Sequence, residues 1–432
     1  MEKRTEVIVI GGGISGCAVA YYLAKRGAQV ILLEKGQIAD EASGRTWGAV
    51  RRQGRQAAEV PLAIESLKLW DNLSEELGSE THFIRGGNLL LAVTDKELVE
   101  FEETVKITKE LGLESDIVTW EKAQEIVPGL SGRFMGGMYS PSDGYAHPVK
   151  TTTAFARAAQ ENGAKIHTRC AVEKIEASNG RVTGVVTEAG HRIEADVIVN
   201  AAGVWAPRLA GTCGVRIPLR VIRTHVTITE PQPDYQAPLV WTPRVAFRPT
   251  VDGNILLGAG AAARFDHDID LNSLRDLRYF WQGFKQFRKK MQLHIGTKLL
   301  NDILSHVPGT TQNQRYFAST VGVEPEVNWD TIRQMREAFF EYMPQMRGLR
   351  FVKTWAGLID LTPDILPVLG EAPGVKGLIL ATGFSGHGFA LGPITGRLIS
   401  EIVLDGKPSL PLDDFRLARF KEKGVGAIRR LQ

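Results

Sequence analysis

Four consecutive apolar residues, Val7 to Ile10, run straight into three glycines. An apolar run of this length, closed by a turn signal, predicts a strand buried on both faces, as in a parallel sheet. Residues 17–26 (CAVAYYLAKR) then place apolar side chains at helical spacing, and Gly27 supplies the stop. Val30 to Leu33 is a second apolar run and ends at Glu34. Amphipathic periodicity predicts helices over 61–79, 95–112 and 146–163, the last with Pro148 near its first turn and Gly163 at its end. Strand-like runs follow at 164–167, 171–175, 182–186 and 197–199, and the stretch 219–260 is β-rich with several turns. Helices are predicted over 271–294 and 329–342, a strand at 377–381 and a last helix over 391–404. The strand–helix alternation of the start thus returns at 146–210 and 375–404, which predicts one discontinuous α/β domain with a second domain inserted twice.

Composition narrows this picture. The chain has 432 residues, 43% of them hydrophobic and 23% charged, enough for a sizeable core and too ordered a mixture for a disordered chain. A net charge of +3 is too small a bias to argue for nucleic acid, and the basic stretch Arg416 to Arg430 is expected to be a solvated surface helix. Cys17, Cys170 and Cys213 form no C-x-x-C and no metal-ligand pair, so no metal is expected and a reducing compartment is the default. The first apolar run is too short for a signal-peptide core, and no run approaches the ~18 apolar residues of a membrane span. A cytoplasmic protein is expected, with peripheral membrane contact left open. Residues 274–293 interleave aromatic, leucine and basic positions. Phe280, Trp281 and Phe284 share one helical face there that suits a partner subunit or a membrane surface as well as the protein's own core.

The glycines carry the first chemical signal. Gly11-Gly12-Gly13-Ile14-Ser15-Gly16 fits G-x-G-x-x-G between a predicted strand and a predicted helix. Gly11 would allow the tight turn, Gly13 the approach of a pyrophosphate and Gly16 close packing of helix on strand. Ile14 and Ser15 would offer free N–H groups at the helix start. Glu34 stands eighteen residues after Gly16, where a carboxylate accepts from a ribose hydroxyl, with Lys35 beside it. The small, polar segment Ala42 to Gly48 follows the second strand directly. It can run along a pyrophosphate and ribityl chain, with Ser43 and Arg45 as partners and Gly48 leaving room for a flat ring, which favours FAD over NAD. Near the other end, Gly383, Ser385, Gly386, Gly388 and Phe389 lead into the last helix, whose N–H groups suit the negative edge of a reduced flavin. His387 lies among them, either lining a pocket or bonding backbone in a tight turn.

Five segments in order resemble the D-amino-acid oxidase family of FAD enzymes, which includes glycine and sarcosine oxidases. They are the glycine motif; Ala195 to Trp205 (ADVIVNAAGVW); Phe247-Arg248-Pro249 with Asp252-Gly253 and Leu256-Leu257-Gly258; Trp355-Ala356-Gly357-Leu358 with Thr362-Pro363-Asp364; and Gly383 to Phe389. Within the family, Arg45 to Arg55 and Trp355 to Asp364 are similar to the β subunit of heteromeric sarcosine oxidase and to the catalytic subunits of opine oxidases and L-proline dehydrogenases. The resemblance implies a two-domain α/β flavoprotein. Residues 1–84, 148–217 and 353–432 would form a Rossmann-like FAD domain, and residues 85–147 and 218–352 a mixed β-sheet substrate domain. It adds Val172, Ala202, Gly203, Trp205 and Gly357 to the cofactor wall and makes His387, Arg248 and Asp360 the candidates for catalysis. The implied activity is oxidation of the C–N bond of an amino acid or N-substituted amino acid by hydride transfer to flavin N5, within a multi-subunit electron-transfer complex. The alternative is a non-catalytic, FAD-bearing scaffold subunit.

Four departures from the family pattern matter. Ile359-Asp360 stands where glycine oxidases carry the arginine that anchors the substrate carboxylate, so Arg51, Arg52, Arg244 and Arg248 become candidates for that task. Ile255 to Gly260 lacks the lysine with which monomeric sarcosine oxidases promote reaction with oxygen, which implies a dehydrogenase. No cysteine follows residue 213, so FAD would be held without a covalent bond. Pro148 occupies the position at which sarcosine oxidase β subunits attach FMN to a histidine, and His147 is one place away. This disfavours covalent FMN but leaves open an FMN bound at a subunit interface.

Overall fold

The computed structural model describes residues 2–281, 288, 290–305, 307, 317, 320–322 and 324–422. It is an α/β protein with two large mixed sheets. Arg4–Ile10 lies centrally in the first, parallel to Val30–Leu33 on one side and to Arg192–Asn200 on the other. The apolar runs read from the sequence are the buried middle of this sheet, covered on both faces. Lys165–His167 continues it past Val30–Leu33, and Leu378–Thr382 and Val368–Glu371 continue it past Arg192–Asn200. The helices Ile14–Lys25 and Gly388–Asp405 pack against each other on one face. Their approach depends on Gly396, where a Cβ would stand 2.6 Å from the Ala18 backbone.

Among the described residues the second sheet has ten strands, including Arg220–Thr229, Ile255–Ala259, Val245–Pro249 and Asn88–Ala92. Phe351–Leu361 pairs along nearly the whole of Arg220–Thr229. Strand alternation sorts its side chains. Phe247 and Leu257 face outward onto the helix Trp329–Tyr342, with Phe247 5.3 Å from Phe339. Ala246, Gly258, Val226 and Trp355 share the other face through the register, and that face looks at the first sheet.

Most predicted elements appear within a few residues of their expected bounds, as Val60–Glu76, Asp95–Glu110, Pro148–Glu161 and Gly388–Asp405. The helix expected over 271–294 does not form as one piece. Leu271–Arg275 is a short helix that Asp276 ends, residues 277–281 are helical again, and Met291–His294 is a strand paired with Phe265–Asp268. Pairing to a sheet edge outweighs the helical pattern there. Phe280 is buried under the Arg220 guanidinium, 4.4 Å from its ring centre, Trp281 is half exposed, and Phe284 lies outside the described residues. Phe280 is therefore part of the protein's own packing. Phe280→Ser is expected to cost about 3 kcal/mol and to lower the unfolding midpoint in thermal denaturation. An unchanged midpoint would show that the ring is dispensable to the fold. Of the expected tail helix, Leu417–Lys421 is a short 3₁₀ turn and residues 423–430 lie outside the described residues. Among the described residues no helix is long and apolar enough to cross a membrane.

Candidate functional site

A cavity of about 410 Å³ opens between the two sheets. Its floor is the glycine turn. Gly11 has φ +111°, and a Cβ there would stand 2.5 Å from the Ala201 carbonyl oxygen, so only glycine fits. Gly13, Ile14 and Ser15 line the cavity at the start of the helix Ile14–Lys25, whose first N–H, that of Ile14, donates to Ser43 Oγ at 2.9 Å. Gly16 lies behind them, where a Cβ would stand 2.0 Å from the Gly11 oxygen. Glu34 is buried, and its two carboxylate oxygens accept from the Gly12 and Gly36 backbone N–H groups at 2.6 Å each. Burial pushes its pKa up, against the pull of those two donors. Lys35 lies over the Trp205 ring at 4.5 Å and pairs with Glu41 at 2.6 Å.

The expected residues Lys35, Ser43, Arg45, Val172, Ala202, Gly203, Trp205 and Gly357 all reach this wall. Arg45 is clamped by its own segment and by the strand Phe351–Leu361: Nε donates to the Asp40 carbonyl at 3.0 Å, and its carbonyl accepts from Trp355 Nε1 at 2.9 Å. Trp47 fills the space under Gly258 and meets Trp241 edge-on at 4.6 Å.

The opposite end is the turn before Gly388–Asp405. Ser385, Gly386, His387, Gly388 and Phe389 line the cavity, whereas Gly383 turns away against Thr362. Asp360 holds this turn: its carboxylate accepts from Gly383 N–H at 2.7 Å and its carbonyl from Ser385 N–H at 2.9 Å. Burial pushes the Asp360 carboxyl up to about 6. His387 is buried, and its Nδ1 lies 2.8 and 3.0 Å from the two oxygens of Glu59, which is fully buried. Arg55, also fully buried, pairs with Glu59 at 3.2 Å. Sequence reading missed Glu59 and the pairing role of Arg55. The available signal was an arginine and a glutamate four apart at the start of an apolar helix.

The four candidate arginines separate. Arg51 lines the cavity, its guanidinium 4.9 Å from the Trp241 ring centre and donating from Nη1 to the Gln53 carbonyl. Arg52 is held by Asp143 and Ser142, and Arg244 pairs with Glu341 at the surface. Arg248 stands apart from the other two catalytic candidates, Asp360 and His387. It is buried beside Tyr145, donates to the Trp47 and Pro249 carbonyls, and lines a second cavity of about 440 Å³ rather than the first. Gly48 packs against Arg248 there and leaves the first wall. His147 and Pro148 also line this second cavity. Among the described residues no group of three or more His, Cys, Asp and Glu side chains could hold a metal ion.

Residues 6–402 match the model of the family described as FAD dependent oxidoreductase. The chain is 28% identical over 428 residues to the mitochondrial pyruvate dehydrogenase phosphatase regulatory subunit of Mus musculus, covering 97% of this chain and 44% of that protein. It thus spans less than half the length of the first curated relatives it matches, all mitochondrial proteins. Among solved structures, L-amino acid deaminase from Proteus myxofaciens in complex with anthranilate superposes with a TM-score of 0.89 at 26% identity, covering 98% of this chain and 95% of that one. L-proline dehydrogenase from P. horikoshii superposes with a TM-score of 0.80 at 28% identity, covering 99% of this chain and all of the other.

Proposed function

Because the chain belongs to the family of FAD-dependent oxidoreductases, we propose that it oxidises the C–N bond of an amino acid or N-substituted amino acid of the sarcosine, opine or proline kind. The observation that carries this reading is the meeting of three features in one cavity: the starts of two long helices, a guanidinium, and a buried histidine. The cradle fits FAD. A Cβ cannot be placed at Gly11 or Gly16 without striking backbone, and the helix start at Ile14 offers N–H groups to a pyrophosphate. In this reading Gly13, Ile14, Ser15 and Ser43 hold the pyrophosphate, Glu34 the ribose, and Gly386, Gly388 and Phe389 the far end of the cofactor. FAD, when bound, supplies the two-electron acceptor for the hydride leaving the carbon next to nitrogen. Arg51 holds the substrate carboxylate, Trp47 and Trp241 keep water from the reacting carbon, and Asp360 fixes the turn that carries His387. In the proposed division of labour, residues 1–84, 148–217 and 353–432 bind the cofactor and the remainder roofs the substrate.

Anaerobic mixing of the purified yellow protein with D-, L- and N-alkyl amino acids tests this. Bleaching of the flavin absorbance by one of them is the expected result, and an unchanged spectrum across the panel would overturn the reading. The second reading, a non-catalytic FAD-bearing scaffold, draws on the similarity to a regulatory subunit and would then stand.

Electron transfer to partner subunits is part of the same proposal. Ile255–Ala259, whose Gly258 faces the cavity, carries no lysine, so nothing on that strand stabilises the negative charge of reducing oxygen. Turnover with an artificial acceptor is expected to exceed turnover with oxygen by at least about tenfold, read from dye reduction against peroxide formation. Rapid stoichiometric peroxide production would move the protein to the simple oxidases. We read the second cavity, with His147, Arg45, Arg248 and Lys353 in its wall, as the place where FMN would sit at a subunit interface.

A further inference from the structure

The pair Arg55–Glu59 is an expensive arrangement for a protein to keep. Both side chains are fully buried, and a buried ion pair contributes little to stability by itself. Its connections show what it holds. Glu59 meets His387 Nδ1 with both oxygens, and Arg55 donates from Nε and Nη2 to the Arg51 carbonyl at 3.2 and 2.9 Å. The pair therefore ties the backbone of the cavity's guanidinium residue to the cavity's histidine, which stands 328 positions from Glu59 along the chain.

The chemistry of the ring follows from this contact. Burial works against the Glu59 carboxylate, but His387 and Arg55 outweigh it and hold its pKa below the ordinary range. Burial, then the nearby Arg55, lowers the His387 ring to about 4. Both causes favour a ring that carries one proton. A carboxylate only accepts, so that proton sits on Nδ1 and points at Glu59. Nε2 is left with a lone pair, and among the described residues it makes no hydrogen bond.

We propose that Arg55 and Glu59 form a buried positioning chain that makes Nε2 of His387 a hydrogen-bond acceptor for an N–H group of the substrate, so that the site takes primary and secondary amino acids and rejects amines lacking an N–H. This rests on the function proposed above. A neutral amine must donate its lone pair as it is oxidised, so only its N–H is free to be held. Arg51 takes the carboxylate of the same molecule, and the shared chain sets the spacing between the two contacts. A tertiary amine would bury the Nε2 lone pair with no donor.

Two measurements test this. In the first, flavin reduction is followed with N-methylglycine and N,N-dimethylglycine, or with the best substrate of the panel and its derivative lacking N–H. The wild type is expected to prefer the N–H form about 100-fold in kcat/KM. In Glu59→Gln, which can turn its amide N–H toward Nδ1 and move the ring proton to Nε2, the preference is expected to collapse to about fivefold or less, with FAD still bound. In the second, ¹⁵N-histidine NMR of the protein without substrate, with His387 assigned by His387→Gln, should show an Nδ1–H ring in the wild type and a mixed or reversed tautomer in Glu59→Gln. If that variant fails to fold, the paired change Arg55→Leu with Glu59→Leu removes both charges together and leaves Nδ1 without an acceptor. An unchanged preference in the folded variant overturns the proposal, as does a wild-type ring protonated on Nε2. If no amine bleaches the flavin, the proposed function fails, and the substrate part of this inference with it. The ring tautomer then decides the positioning chain alone.

Discussion

Gly13→Asp is expected to leave a folded protein that no longer retains FAD. Gly13 caps the helix Ile14–Lys25 in an extended conformation, φ −76° and ψ 176°, which any residue can adopt. A Cβ there meets only Ser43 Oγ, at 3.0 Å, so a side chain fits after a small shift of that hydroxyl. Aspartate is among the best N-cap residues and would strengthen the helix over glycine by roughly a few tenths of a kcal/mol. The same carboxylate would occupy the place proposed for the pyrophosphate. Two like charges about 4 Å apart near a protein surface repel by roughly 4 kcal/mol, which is about a thousandfold in affinity. The expected signature is thus a colourless protein whose apo form melts no lower than the wild-type apo form. FAD titration by fluorescence quenching measures the first part and thermal denaturation the second. Undiminished FAD affinity would show that the phosphates lie elsewhere, whereas a lower melting point would show that the turn has no room.

Arg51→Met should separate substrate binding from folding. Arg51 reaches the cavity beside Trp241, and losing a charge-assisted contact to a carboxylate costs about 3 kcal/mol, so KM for amino acids is expected to rise on the order of a hundredfold. Methionine keeps the length and apolar stem, which preserves the packing on Trp241. An amine without a carboxylate should bind the variant and the wild type equally, a control that a general loosening of the site would fail. Arg248→Met should behave in the opposite way. Its guanidinium donates to two backbone carbonyls in the wall of the other cavity, so the variant is expected to melt earlier while KM stays within about twofold. If KM rose instead with Arg248→Met and not with Arg51→Met, the substrate would lie in the second cavity.

These two arginines also show where sequence reading stops. Both stand in motifs that were recognisable, and both were candidates to hold a carboxylate. Which of them reaches the first cavity depends on strand register and on the path of the loop through Gly54, and neither is written locally. The glycine turn was legible because strand, turn and helix are adjacent in the chain and each glycine is demanded by a nearby backbone contact. Asp360 is legible as a catalytic candidate and as the residue standing in place of an arginine, but its work as the clamp of the turn at Gly383 needs a hydrogen bond across twenty-three positions. Glu59 gave almost no signal, since QAAEV reads as an ordinary helix start and its partner lies near the other end of the chain. The helix expected over 271–294 holds over 271–275 and 277–281 with a break at Asp276, and it gives way where Met291–His294 finds an open strand edge.

The packing of Gly388–Asp405 against Ile14–Lys25 also fixes an order of events during synthesis. Ile14 and Ala18, buried in the finished protein, lie where Gly392 and Gly396 of the later helix come closest. On the ribosome the first helix emerges more than 360 residues ahead of its partner, so for most of translation this groove is bare apolar surface. At about 5–20 residues per second that interval lasts on the order of tens of seconds, long enough for a chaperone to bind or for nascent chains to associate. The nucleotide end of the cradle could form early, but its two ends cannot face each other until the second helix has docked. Cofactor capture thus waits on the docking of Gly388–Asp405, and chains kept short of FAD are expected to stall at that step.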